Sequence, residues 1–167
     1  YGDWSSDVCS SDLASDDNTE SIVKEFQKDY SFIAYNCNQR NIGAKSNVLK
    51  SMELASSKFV LFIGDDDRID CSKLSTIIAF LKNNPDTGFI VDQATFKKRA
   101  FVSGTVISLE NLLKNYYWLI GNAGYFIIKT EYIKIFLKKY DYNFFNECWP
   151  QTELAILGLS NMNDKCF

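Results

Sequence analysis

Phe59-Val60-Leu61-Phe62-Ile63-Gly64-Asp65-Asp66-Asp67 decides how this chain is read. An unbroken apolar run stops at a glycine and three consecutive carboxylates. A short apolar run bounded by a turn residue suits a strand buried on both faces, as in a parallel sheet. Ligands of open α/β sheets gather at the carboxyl ends of the strands, where Asp65, Asp66 and Asp67 emerge. Alternation along an extended chain sends Asp65 and Asp67 to one side and Asp66 to the other. Two converging carboxylates repel unless a cation lies between them. A hard divalent ion such as Mg²⁺ or Mn²⁺, shared with phosphate oxygens, meets that need. The same cluster is also compatible with a solvated turn in which Asp70 caps the following helix.

Two other metal signatures fail or fall short. A calcium-binding EF-hand loop counted from Asp65 requires Gly at its sixth place and Glu at its twelfth, and Asp70 and Thr76 stand there. A phosphatase of the haloacid dehalogenase type would follow Asp-x-Asp with x-Thr/Val and use Asp65 as nucleophile. Ile69 makes this a near miss, so an Asp-nucleophile phosphatase or phosphotransferase remains an alternative.

Around this strand the pattern alternates. Ile22, Val23, Phe26 and Tyr30 have helical spacing over residues 19–30, with Thr19 or Asn18 as cap. Residues 31–36 read as a strand. Gly43 opens a helix with Ala44, Val48, Met52 and Ala55 on one face. Leu74, Ile77, Ile78 and Leu81 mark the next helix, stopped by Asn83-Asn84-Pro85, and Gly88 to Val91 begins a strand. Farther on, 101–107 reads as a strand, 109–115 as a short helix and 124–128 as a strand. Tyr132, Ile133, Phe136, Leu137 and Tyr140 mark a helix, and 151–159 the last one. This alternation predicts a mostly parallel α/β sheet flanked by helices.

Composition narrows the function. The chain has 167 residues, enough for one domain with a sizeable core. Its net charge of −3 argues against a nucleic-acid partner held by a broad basic surface. Basic residues gather at Lys97-Lys98-Arg99 and between Lys129 and Lys139, the second reading as the wet face of a helix. No apolar run approaches the ~20 residues that cross a bilayer, and no signal-peptide core is visible. Cys37, Cys71, Cys148 and Cys166 have no Cys-x-x-Cys spacing, so reduced cysteines in a cytoplasmic protein are expected. There is no histidine, which excludes a His-based triad or His-ligated zinc within these residues.

The stretch Asn36-Cys37-Asn38-Gln39-Arg40-Asn41-Ile42-Gly43-Ala44-Lys45-Ser46-Asn47, followed by a helix and residues 58–67, resembles the family 2 glycosyltransferases. Their pattern is Asn-x-Gly-x-x-x-Asn, a helix, an apolar strand and an acidic Asp-x-Asp. Asn41, Gly43 and Asn47 match the first part, Asp65 and Asp67 the second. Residues 14–26 look like that family's Ser-x-Asp-x-Thr turn and following helix, with Asp17 architectural. The resemblance covers residues 14–160. It implies a GT-A, Rossmann-like domain that transfers a sugar from a nucleoside diphosphate to an acceptor hydroxyl.

Residues 3–13 look different. They read as the translation of a common short-read sequencing adapter, so 1–13 is set aside as a non-native segment expected to form no strand or helix. Setting aside Asp3, Asp7 and Asp12 leaves acids and bases equal in number. Residues 14–167 then form a partial GT-A domain, truncated at both ends. The family's first strand and helix, and the acid at the end of its second strand that reads the base, are expected to be missing. The chain as written is expected to be inactive.

The resemblance also assigns roles. Asp67 holds a Mg²⁺ or Mn²⁺ ion, and Asp65 shares it or faces the donor ribose. Asn41, Gly43, Asn47 and Arg68 belong to donor binding, with free N–H groups at the helix start suited to an anion. Many members carry a Glu-Asp pair, then one residue later an acid and Leu. Glu153-Leu154 matches the latter, but Pro150 and Gln151 occupy the pair, and Gln151 cannot take a proton. Glu153 and Glu147 are the candidate general bases. Trp149-Pro150-Gln151 looks like the subgroup that includes abequosyltransferases of O-antigen assembly. Tyr116, Tyr117, Trp118 and Trp149 suit either a sugar platform or core. The partners implied are a nucleotide-sugar donor and a saccharide or lipid-linked saccharide acceptor, with peripheral contact at the inner membrane face. A catalytically silent sugar-nucleotide binder is the alternative that Gln151 suggests.

Overall fold

The computed structural model describes residues 8–64, 70–91, 108–115, 126–161 and 165–166. In chain order its elements are β1 (Val8–Asp12), α1 (Thr19–Asp29), β2 (Ile33–Cys37), α2 (Ala44–Glu53), β3 (Phe59–Phe62) and α3 (Cys71–Asn83). They continue with β4 (Thr87–Val91), α4 (Leu109–Asn115), β5 (Phe126–Lys129), α5 (Thr130–Lys139), a 3₁₀ turn (Tyr142–Phe144), α6 (Pro150–Asn161) and β6 (Lys165–Cys166). Two compact units share them, one of Tyr1–Val60 with Thr130–Leu154 and one of Leu61–Lys129 with Ala155–Phe167.

The first unit opens as a β-α-β turn. Strands β1 and β2 pair in parallel from Val8↔Ile33 to Asp12↔Cys37, and α1 connects them. The Asp17 carboxylate accepts the Thr19 N–H at 2.9 Å, so it starts α1, whereas the Asn18 side chain makes no capping bond. Helix α2 packs on α5. The apolar interior comprises Leu49 and Met52 of α2, Tyr132, Ile133 and Phe136 of α5, and Phe145. Leu49, absent from the face expected for α2, is fully buried; Val48 is half-buried.

In the second unit, Asp70 caps α3 by accepting the Ser72 N–H at 3.0 Å, as the sequence allowed. Strand β4 runs antiparallel to β5 (Phe89↔Ile128, Val91↔Phe126) and parallel to β6. Phe89, Leu112, Ile127 and Ile128 are buried. The four-stranded sheet has the order β3-β5-β4-β6.

Two expectations are corrected. The four-stranded sheet is mixed, with β5 antiparallel to β4, while the β1–β2 pair is parallel; the direction of β5 depends on the chain that joins it to β4, which strand–helix alternation does not encode. Residues 8–12 form a strand where none was expected, because main-chain bonds to β2 hold it without an apolar run. The strand read at 101–107 lies outside the described residues.

Candidate functional site

The parallel register ends with Asp12 opposite Cys37, at the carboxyl end of β1. Asp12 is buried, and both of its carboxylate oxygens are engaged. Oδ2 accepts the Tyr35 hydroxyl, and Oδ1 accepts the Ser15 N–H at 2.8 Å. The second bond spans Ala14, a non-glycine residue at φ 63°, where an L side chain costs roughly 1–2 kcal/mol. The Tyr35 hydroxyl, then the Ser15 N–H, hold the Asp12 carboxyl below its usual range, against an opposing effect of burial. The same bond, with burial, pushes the Tyr35 phenol up. Asp12 is therefore an anion and Tyr35 a neutral donor at physiological pH.

The turn before α2 is built as its residues dictate. The Asn41 side-chain oxygen accepts the Gly43 N–H at 2.9 Å. Gly43 adopts φ 83° and ψ 153°, a region open essentially to glycine alone. A Cβ there would meet nothing within 4 Å, so conformation rather than space demands glycine. Asn47, one helical turn on, donates from Nδ2 to the Ser11 carbonyl at 2.6 Å. Its Oδ1 accepts from Asn38 Nδ2 at 3.1 Å, and Asn38 also donates to the Asp12 carbonyl. Both ends of the Asn47 amide are thus used to hold α2 against the end of β1.

Lys45 links this turn to the segment before α6. Its ammonium lies 2.6 Å from Glu147 Oε1, with the lysine side chain 9% exposed and the glutamate 81%. Glu153 Oε2 accepts the Asn146 N–H at 2.7 Å, tying the first turn of α6 back to that segment. The structure thus connects Asn41, Gly43, Glu147 and Glu153 through Lys45 and Asn146. Pro150 starts α6, where its missing N–H costs nothing. Gln151 is 3% exposed, and its side-chain oxygen has no hydrogen-bond partner. Such an orphan costs about 1–3 kcal/mol. Trp149 is exposed.

Asp65, Asp66, Asp67 and Arg68, and with them Tyr116, Tyr117 and Trp118, lie outside the described residues. Among the described residues no group of three or more His, Cys, Asp or Glu side chains could hold a metal ion. No disulfide forms among the described cysteines.

Sequence reasoning missed Asp12, Tyr35 and Asn38. Asp12 fell within the segment set aside as an appendage, although its place five residues before Asp17 was a usable signal. Tyr35 and Asn38 carried none, since only the parallel register brings them to Asp12.

The fold resembles that of Staphylococcus aureus TarS. Its residue 1–349 structure in complex with UDP superposes with a TM-score of 0.69 at 18% identity, covering 100% of this chain and 50% of that one. A second TarS structure gives 0.68 at 19%, covering 100% and 30%. Among curated proteins, abequosyltransferase RfbV of Salmonella typhimurium strain LT2 is 32% identical over 81 residues, 48% of this chain and 24% of that protein. The Campylobacter jejuni GalNAc(5)-diNAcBac-PP-undecaprenol beta-1,3-glucosyltransferase is 37% identical over 73 residues, 43% of this chain and 24% of that protein. The chain thus matches about a quarter of the length of these curated relatives. The model of glycosyl transferase family 2 matches residues 7–136, from β1 into α5, and the chain belongs to that family.

Proposed function

We propose that the protein containing this chain transfers a sugar from a nucleoside-diphosphate donor to a saccharide or lipid-linked saccharide acceptor in cell-surface polysaccharide synthesis. The observation that carries this reading is the union of a buried anionic Asp12 at a strand end with the Asn41–Gly43 turn, held together by Asn38 and Asn47. In this reading residues 8–12 are native, against the expectation that 1–13 is an appendage and the base-reading acid is missing: Asp12 is the acid that reads the nucleobase, with Tyr35 keeping it ionised and oriented. Asn41 and Gly43 shape the turn that faces the donor phosphates, Asn47 fixes that turn, and Arg68 reaches the diphosphate. Asp65 and Asp67 are the ligands of a Mg²⁺ or Mn²⁺ ion, which when bound stabilises negative charge on the leaving diphosphate. Glu153 is the general base, with Glu147 as the other candidate. The protein works in the cytoplasm, at the inner membrane face. Support comes from family membership and from two curated relatives that are themselves named as glycosyltransferases.

The buried Gln151, whose side-chain oxygen has no hydrogen-bond partner and which stands at the place the sequence pattern gives to an acid, favours a second reading as a sugar-nucleotide binder without turnover. One experiment addresses the first reading directly. Titrate Mn²⁺ together with UDP, GDP, CDP or dTDP into the protein and its Asp67→Asn variant by calorimetry. One nucleotide should bind with Mn²⁺ coupling that the variant loses. Unchanged coupling in Asp67→Asn would sink the metal assignment. Resequencing codons 3–13 from genomic DNA decides whether Asp12 is native.

A further inference from the structure

Helix α5 has two faces. Tyr132, Ile133 and Phe136 are buried, while Glu131, Lys134, Ile135, Lys138 and Lys139 are exposed. Sequence periodicity alone reads the second face as solvated. Three observations in the structure say more.

First, the lysines converge. Lys134 and Lys138 line an open depression of roughly 470 Å³ together with Lys58, which comes from a different part of the chain. The Thr130 N–H donates to the Lys58 carbonyl at 3.0 Å, and the Thr130 hydroxyl donates to the Ser57 carbonyl, so this arrangement is fixed. Glu131 is the single acid in the lining. Second, the charges are not neutralised. Lys24, Lys45 and Lys50 each have a carboxylate partner, whereas among the described residues no ion pair reaches Lys58, Lys134 or Lys138. This is a local positive field on a chain of net charge −3. Third, apolar side chains stand beside the cations. Ile135 is 40% exposed within the depression. At the end of α5, Tyr140 carries Lys139 over its ring and stacks at 4.0 Å on Phe144, which is 53% exposed.

Lysines without a carboxylate partner among the described residues, with long hydrocarbon stems flanking exposed Ile and Phe, are the chemistry of an interfacial surface; Lys58 itself lies over the Phe59 ring, 5.5 Å from its centroid. The ammonium groups meet anionic headgroups, and the apolar tips enter the acyl boundary. We propose that the exposed face of α5, with Lys58 and Phe144, docks on an anionic lipid bilayer. This rests on the placement at the inner membrane face proposed above and deepens it by naming the surface that makes the contact; vesicle binding is read without sugar transfer, so the two readings fail separately. Charge complementarity selects the occupant: cations with no carboxylate partner among the described residues need a dense array of anions, which a bilayer leaflet supplies. No described helix is long and apolar enough to cross a membrane, so the contact is made on the surface.

The test is flotation with vesicles of 70% POPC and 30% POPG beside vesicles of POPC alone, in about 50 mM salt, where screening is weak. The protein should float with the anionic vesicles and at least about tenfold less with the neutral ones. Lys134→Glu/Lys138→Glu should lose at least about tenfold of that binding, and Ile135→Ser should weaken it with charge unchanged. The control Lys24→Glu/Lys28→Glu, on α1, alters net charge equally and should bind as the parent does. Circular dichroism and unfolding midpoints establish that each variant is folded; if the double variant fails, Lys134→Gln/Lys138→Gln replaces it. Equal binding to neutral vesicles overturns the proposal, as does equal loss in the α1 control. No flotation at all, or a response to free inorganic phosphate without flotation, overturns it as well.

Discussion

Helices α1 and α5 both carry apolar residues at helical spacing, but α5 buries Tyr132, Ile133 and Phe136 whereas α1 buries none. On α1, Ile22 and Phe26 are about half exposed, and so are Tyr30 and Phe32 just beyond it. Their rings stack in series, Phe26 on Tyr30 at 6.4 Å and Tyr30 against Phe32 at 5.7 Å. Periodicity therefore reports which face of a helix is apolar, and not what covers it. The two regions of the same unit are held by different forces. Around α2 and α5 the term is apolar burial. Around β1 and β2 it is a set of hydrogen bonds: the strand ladder, the Asp12 carboxylate, and the amides of Asn38 and Asn47.

The contrast is sharpest where chemistry is equal and burial is not. Ile133 has no exposed surface. Ile133→Ala deletes buried methylene and methyl groups and leaves a cavity, which costs about 2–5 kcal/mol. Urea unfolding should show the midpoint falling at unchanged slope. A loss below about 1 kcal/mol would mean that α5 is not the apolar anchor of its unit.

A second effect distinguishes the polar region by its pH dependence. The Asp12 carboxyl lies below its ordinary value of 3.8 in the folded protein, chiefly through the Tyr35 hydroxyl. A group with a depressed folded pKa stabilises above its unfolded pKa and loses that contribution as pH falls through the folded one. Stability from Asp12 should thus be complete above about pH 5 and decline on acidification below about pH 4. Tyr35→Phe should shrink the decline, and Asp12→Asn should remove this share of it. An identical acid limb in parent and Asp12→Asn, followed by the unfolding midpoint from pH 6 to pH 2.5, would discard the network as a source of stability.

Legibility followed the same division. Apolar periodicity revealed α1, α2, α3 and α5, with α3 stopped before Asn84-Pro85, and the shorter readings at 109–115 and 151–159 correspond to α4 and α6. Strand β1 escaped because Val8-Cys9-Ser10-Ser11-Asp12 has no apolar alternation, and its order comes from pairing with β2. The antiparallel β4–β5 pair escaped because strand direction is a property of the connecting path. In the candidate site, Asn41 and Gly43 were legible since a turn opening a helix needs those residue types. Asn47 was legible as a position, but its bonds to Ser11 and Asn38 join residues far apart in sequence. Glu147 and Glu153 were named for proton transfer, and the structure adds what occupies them: the Lys45 ammonium and the Asn146 N–H.

The smallest expected effect completes the comparison. Ile22 on α1 is 51% exposed, and α1 has no buried residue. Truncating it to alanine removes only partly sheltered methyl groups, a transfer loss of under about 1 kcal/mol. Alanine also has the better helix propensity, by several tenths of a kcal/mol, which offsets part of that loss. Ile22→Ala should therefore shift the urea midpoint by an amount close to the scatter of surface substitutions, about 0.5 kcal/mol. Reducing an exposed apolar face should at the same time raise the concentration at which the protein begins to self-associate. Light scattering across a dilution series measures that second outcome. If Ile22→Ala instead costs as much as Ile133→Ala, the face of α1 is covered in solution, and the distinction between the two helices fails.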